Sequence, residues 1–319
     1  SRRAIACVNG TSALHVSLHS LGAHSGSQII TQALTFVATA NAISYCGAEP
    51  IFIDVDIDTL GMSPASLRIW LKKNTRLVGK KLINKGNGKE ILACLPMHRF
   101  GLPCRILEIS EICDEFGIYL IEDSAESLGS RIEDKHSGSF GEIGVFSFNG
   151  NKIITTGGGG MVVTDNDELA DNIKHLSTTA KRQHAYEYYH DRVGFNYRMP
   201  NINAAIGVAQ MEKLPEILEA KRKLATNYAE FFDEWPATYI TPINGAKPNY
   251  WLNAIHLNNK SERDNFLNLT NENGVMTRPI WNLLSELPMY KNCENDGLIN
   301  SKEIVDRVVN IPSSVPRLR

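Results

Sequence analysis

The chemistry in this sequence gathers around a lysine, a pair of carboxylates and a glycine turn. Lys152 stands between two apolar runs, residues 145–148 and 161–164, in Asn149-Gly150-Asn151-Lys152, with four consecutive glycines at 157–160. Desolvation disfavours a charged amine, so a lysine between two buried strands is costly unless it has a use. The same desolvation makes an amine nucleophilic, as a Schiff-base enzyme requires. A surface lysine in a hairpin loop would read the same way. Asp123 follows the apolar run 118–121 within Glu122-Asp123-Ser124-Ala125-Glu126. Carboxylates at the carboxyl end of a buried parallel strand face the crevice where ligands gather, although they also serve as helix caps. A third stretch, 4–8, runs into Asn9-Gly10-Thr11-Ser12 and then an amphipathic helix ending at Leu21-Gly22. A strand, a glycine turn, hydroxyls and a helix start make an anion site out of free N–H groups and the helix dipole. Thr11 and Ser12 are equally plausible as simple N-caps.

The elements that must position these residues follow from the hydrophobic pattern. Short β-rich runs at 28–30, 50–55, 91–96 and 118–121 alternate with helical runs at 35–45 and 105–116. Such alternation predicts an α/β fold whose mostly parallel sheet carries helices on both faces. Phe36 begins one helix, as a core aromatic or a stacking platform. Beyond a helix at 168–182 lies an aromatic, histidine-rich loop at 184–190. A small-residue helix at 202–214 is suited to close packing, and Pro215 opens a second helix to about Phe232. The expected division is a large domain, 1–214, and a small C-terminal α+β domain, 215–319, with strands such as 251–257 and helices such as 261–273.

Composition excludes several classes. The chain has 319 residues, a net charge of −2, 43% hydrophobic and 21% charged residues. That length suggests about two domains with cores that need no metal or disulfide. No nucleic-acid partner is expected, because such a partner would require a basic face. The one basic concentration, from Lys72 to Lys89, centres on the hairpin-like Gly86-Asn87-Gly88 and reads as a solvated edge. Six scattered cysteines show no C-x-x-C and no His/Cys metal spacing, so no metal site is expected and the thiols read as reduced. No apolar run approaches the roughly 20 residues of a membrane span. The apolar run after Arg2-Arg3 is too short for a signal-peptide core. A cytoplasmic protein with no membrane partner is the expectation.

Taken together, six motifs resemble the DegT/StrS group of sugar-nucleotide aminotransferases, which are fold-type-I pyridoxal-phosphate enzymes. They are Asn9–His15, Leu34–Thr39, Met97–Gly101, Glu122–Glu126, Ser147–Lys152 and Gly194–Met199, in that order and nearly end to end. The runs at 148–160, 276–279 and 310–314 are most similar to the legionaminic-acid branch. That branch aminates C4 of a UDP-linked 4-keto-6-deoxy-N-acetylhexosamine, with L-glutamate as donor. The resemblance implies that Lys152 binds the pyridoxal 5'-phosphate aldehyde and moves a proton, and that Asp123 keeps the pyridinium nitrogen protonated. Phe36 would stack on the ring. Gly10, Thr11, Ser12 and Ser147 would hold the phosphate, which Asn196 would reach from the other subunit of a homodimer. Glu126 occupies a position where the group often has Gln or His, near the cofactor's 3′ oxygen. His98, Tyr250 and Trp281 are candidate sugar contacts. The family ordinarily carries segments before the phosphate loop and after Asn310, so a shortened copy is expected. Other readings are a GDP-4-keto-6-deoxymannose or keto-octulosonate acceptor, or a non-catalytic relative. The related dehydratase branch carries histidine where this chain has Lys152.

Overall fold

The computed structural model describes residues 1–314. A nine-stranded sheet is built from β1 (Arg3–Cys7), β2 (Ser27–Gln32), β3 (Glu49–Ile53), β4 (Thr75–Val78), β5 (Lys81–Asn84), β6 (Glu90–Leu95), β7 (Tyr119–Asp123), β10 (Ile143–Ser147) and β11 (Gly160–Thr164). The short strands β8 (Arg131–Ile132) and β9 (Lys135–His136) lie between β7 and β10 and form a small sheet with β13 (Ala246–Lys247). In the main sheet the strand order is β1-β11-β10-β7-β6-β2-β3. The run from β10 to β3 is parallel, whereas β11 is antiparallel to both β10 and β1. β4 and β5 form a hairpin on the side of β6, so the sheet is mixed around a parallel centre. The Gly86–Gly88 turn joins β5 to β6, and Lys81 and Lys89 on this edge pair with Glu90 and Glu49.

Helices α1 (Gly10–Ser20), α2 (Val37–Tyr45), α3 (Pro64–Asn74), α4 (Ile106–Phe116) and α5 (Asp167–Ser177) cover the sheet. Two apolar layers result. One joins α1, α2 and α5 to the sheet through Leu14, Val16, Leu18, Ile43, Val145, Ile173 and Leu176. The other joins α3 and α4 through Leu67, Trp70, Ile109 and Ile112. A second, four-stranded sheet has the order β12-β14-β16-β15 (Thr238–Tyr239, Asn253–His256, Val308–Ile311, Arg278–Pro279) and is accompanied by α7 (Lys260–Glu272) and α8 (Ile299–Val305). Buried side chains from both sheets, among them Phe52, Val55, Phe100, Trp251, Ile280 and Val308, share one apolar cluster. Asp54 reinforces that seam by accepting from the Asn300 N–H, the Ser301 N–H and the Ser301 hydroxyl at 2.6–2.8 Å.

One expected break is absent. In place of separate helices meeting at Pro215 there is a single helix, α6 (Asn201–Phe232), with the proline inside it. Proline removes one backbone donor and crowds the carbonyl four residues earlier. The helix-forming run from Glu216 to Ala225 on one side, and the packing of Gly207 against Thr156, outweigh that cost. A boundary at 214/215 therefore falls inside one element. We propose to keep it as a functional division. The first half of α6 lies on the glycine run, where Asn203 donates to the Thr156 and Gly158 carbonyls. The second half packs Ala225 and Phe232 against Tyr239 and Ile255. Among the described residues no helix is long and apolar enough to cross a membrane.

Candidate active site

The parallel strands deliver the site at their carboxyl ends. Asp123 is the last residue of β7, where it pairs with Val145 of β10. Its carboxylate is buried. Oδ2 accepts from the Thr39 hydroxyl at 2.8 Å and Oδ1 from the Ala125 N–H at 3.1 Å. Burial pushes its pKa up, against the pull of those two hydrogen bonds and of the nearby Lys152 charge. Thr39 lies one turn into α2 from Phe36, so the helix presents both on one side of the crevice. The Phe36 ring is about half exposed and lies 5.4 Å from that of Trp281.

Lys152 sits in the turn between β10 and β11. Its Nζ lies 3.6 Å from Glu126 Oε1 and 4.2 Å from the centre of the Trp251 ring. Trp251 is fixed in turn by its indole N–H, which donates to the Asn151 carbonyl at 2.6 Å. Glu126 is buried. Its Oε2 accepts from the Phe100 N–H at 2.9 Å, while its Oε1 has no hydrogen-bond partner. The Phe100 backbone adopts a left-handed conformation, φ 55°, that turns this N–H toward the carboxylate. Burial pushes the Glu126 pKa up, opposed by Lys152 and Arg99.

The glycine turn converges on the same edge. Asn9 caps α1, its Oδ1 accepting from the Ser12 N–H at 2.7 Å, so the first turn of the helix is held open beside Ser147. A Cβ on Gly10 would come within 2.9 Å of Ser147 Cβ, and one on Gly160 within 2.4 Å of the Asn9 carbonyl oxygen. Only glycine allows this loop to close against both strands. The cradle of helix-start amides and hydroxyls suits a phosphate. A buried acid at one end and a lysine amine beside an unpartnered carboxylate oxygen suit a pyridine ring bearing an aldehyde. The residues present fit pyridoxal phosphate.

Lys152, Asp123, Glu126, Phe36 and the Gly10–Ser12/Ser147 cradle thus gather at one crevice. Two expected sugar contacts, His98 and Tyr250, do not, and Asn196 is expected only at the other subunit's site. His98 is completely buried, with Nε2 2.9 Å from Glu122 Oε2 and Nδ1 3.3 Å from the Cys104 N–H, so it has no face to offer a sugar and serves the sheet instead. Tyr250, with φ 48°, packs between two apolar clusters, and its neighbour Trp251 takes the place beside Lys152. Asn196 lies exposed, bridging to Thr178, and its side chain accepts from its own chain's Arg198 at 3.2 Å. Trp281 does border the crevice, through Phe36 and Arg99. Arg99, Trp251 and Thr39 were not anticipated. For Thr39 a signal existed in its i, i+3 spacing from Phe36.

This fold and crevice define a fold-type-I, pyridoxal-phosphate-dependent transferase. The DegT/DnrJ/EryC1/StrS aminotransferase family model matches residues 1–318, and the chain belongs to that family. A GDP-perosamine synthase from Vibrio cholerae is 35% identical over 311 residues, 96% of this chain and 79% of that protein. A Bacillus subtilis (strain 168) protein, EpsN, provisionally named a pyridoxal phosphate-dependent aminotransferase, is 37% identical over 290 residues, 91% of this chain and 72% of that one. Among solved structures, a DegT DnrJ EryC1 StrS aminotransferase from Brucella abortus superposes with a TM-score of 0.91 at 27% identity, covering 100% of this chain and 82% of that one. The protein is a pyridoxal-phosphate-dependent aminotransferase.

Proposed function

We propose that the enzyme moves an amino group from L-glutamate to C4 of a nucleotide-linked 4-keto-6-deoxy sugar, with UDP-4-keto-6-deoxy-N-acetylhexosamine as the acceptor. The observation that carries the reading is the Lys152 amine, held between Glu126 Oε1 and the Trp251 ring at the carboxyl edge that also presents Asp123. When bound, the cofactor supplies an electron sink that eases proton removal next to nitrogen. Lys152 Nζ ties it to the chain and, once free, moves a proton at the reacting carbon. Asp123, kept from water, would hold a proton on the ring nitrogen, and Phe36 would stack on the ring. Gly10, Thr11, Ser12 and Ser147 hold the phosphate.

The outer face of α6 supports a homodimer. Ile202 and Val208 are 78% and 64% exposed there, and the neighbouring loop exposes Tyr186, Tyr188 and Val193. Exposed apolar side chains on this helix and in the chain just before it suit an interface. In that dimer Asn196 serves the phosphate of the partner's site, and the enzyme works in the cytoplasm. A second acceptor, GDP-4-keto-6-deoxymannose, is favoured by the relatives named GDP-perosamine synthase. A panel of UDP- and GDP-linked 4-keto sugars assayed with glutamate decides between them. Borohydride reduction followed by peptide mapping is expected to place the cofactor on Lys152. A label elsewhere, or none, removes the reading.

A further inference from the structure

Among the described residues, Arg99 is a charged side chain at the crevice to which the proposed reaction gives no task. It is completely enclosed, and none of its three guanidinium nitrogens meets a hydrogen-bond partner among the described residues. The guanidinium lies between two rings, 4.2 Å from the centre of Trp281 and 4.9 Å from that of Phe100. Cation–π contacts return less than burying an ion costs. An apolar side chain would pack between these rings at lower cost. Burial pulls the Arg99 pKa down to about 10, with Glu126 pulling the other way.

Glu126 is the nearby acid, yet the two do not hydrogen-bond. Its Oε2 is taken by the Phe100 N–H, and its Oε1 faces Lys152 Nζ. Two buried groups of opposite charge, the Arg99 guanidinium and Glu126 Oε1, are each left without a hydrogen-bond partner among the described residues. One receives an anion and the other a cation, and the second lies beside the reacting amine. A zwitterionic amino acid carries one group for each.

We infer that Arg99 binds a carboxylate of the amino donor and so holds the donor's amino group between Glu126 Oε1 and Lys152 Nζ. The inference rests on the transaminase reading above and names the donor's anchor. The planar guanidinium matches a carboxylate through two parallel N–H···O bonds, which an ammonium cannot do. Trp281 is only partly buried and is backed on its outer side by Phe36. It is the ring a donor displaces to reach the guanidinium, while the Phe100 face stays in place.

Calorimetric titration of 2-oxoglutarate into the cofactor-loaded protein reads this contact without turnover. Arg99→Gln is expected to weaken binding by roughly 30-fold or more, and Arg99→Lys by less, with the borohydride label still on Lys152. An unchanged dissociation constant for Arg99→Gln overturns the inference. A loss confined to cofactor affinity also overturns it, because Arg99 would then serve the phosphate. Should the glutamine variant fail to fold, the unmodified protein still carries the test. Glutamine and isoglutamine each lack one carboxylate, and the inference requires one of them to bleach the cofactor's visible band less effectively than glutamate. If both amides match glutamate, the inference fails. A missing label on Lys152 in the unmodified protein is a different result, and it sinks the transaminase reading instead.

Discussion

In the proposed reaction Lys152 and Asp123 have different tasks, and their variants should fail differently. Lys152→Ala is expected to abolish turnover and the borohydride-stable label while leaving the fold intact, as read by circular dichroism. Asp123→Asn should cost about 3 kcal/mol of barrier, roughly 100-fold in kcat. The same substitution should raise the melting temperature of the cofactor-free protein at neutral pH. Burial raises the Asp123 pKa in the folded state, so the folded chain holds its proton to higher pH than the unfolded chain. Stability therefore falls as pH rises from the ordinary carboxylate value through the raised one, and the amide escapes that penalty. A melting gain that persists unchanged below pH 4 would contradict this sign. These two residues were legible in the sequence because Asp123 follows an apolar run with a charge at the sheet's carboxyl edge and Lys152 is the lone charge in the turn between two apolar runs. Trp251 was not, because it is adjacent to Tyr250 in an aromatic run and spacing alone could not say which ring turned inward. Arg99 was hidden for another reason. Nothing in Met97–Gly101 says that an arginine would be fully enclosed.

At the scale of elements, the site depends on the loop between β7 and β10. Glu122 accepts the backbone N–H groups of Gly138, Phe140 and Gly141 at 2.5–2.9 Å and also contacts His98 Nε2. Glu122→Gln replaces one acceptor oxygen by a donor facing other donors. It should destabilise the protein by about 3 kcal/mol, read as a shift in urea midpoint. Asp54→Ala leaves the Asn300 and Ser301 N–H groups and the Ser301 hydroxyl without their acceptor. A loss of about 2–4 kcal/mol is expected, with the small sheet exchanging its amide hydrogens ahead of the large one. The parallel centre of the sheet was readable from its alternation of apolar strands and helices. The β4–β5 hairpin was harder to find, because both strands are only four residues long and β4 is exposed after its first residue, with no period-two pattern. The continuity of α6 was misjudged because proline is a strong local signal, and the packing that overrides it is remote in sequence.

For the whole molecule, the prediction concerns association. Val208→Glu on the outer face of α6 should shift the sedimentation coefficient toward that of a single chain. Mixing Lys152→Ala with Asn196→Ala should restore activity. If each site draws Lys152 from one chain and Asn196 from the other, about a quarter of the sites in a random mixture are intact. No recovery on mixing would confine Asn196 to its own chain. The 32 residues of α6 make a rod of roughly 48 Å. Farther along the rod from its apolar outer stripe, Lys221 grips the Trp251 carbonyl at 2.8 Å, and the Trp251 ring covers the Lys152 amine. If the proposed dimer forms there, Lys221 and Trp251 link the helix to the Lys152 nitrogen. Diluting the protein until its subunits part should therefore broaden the Trp251 indole resonance before any strand of the sheet loses its order.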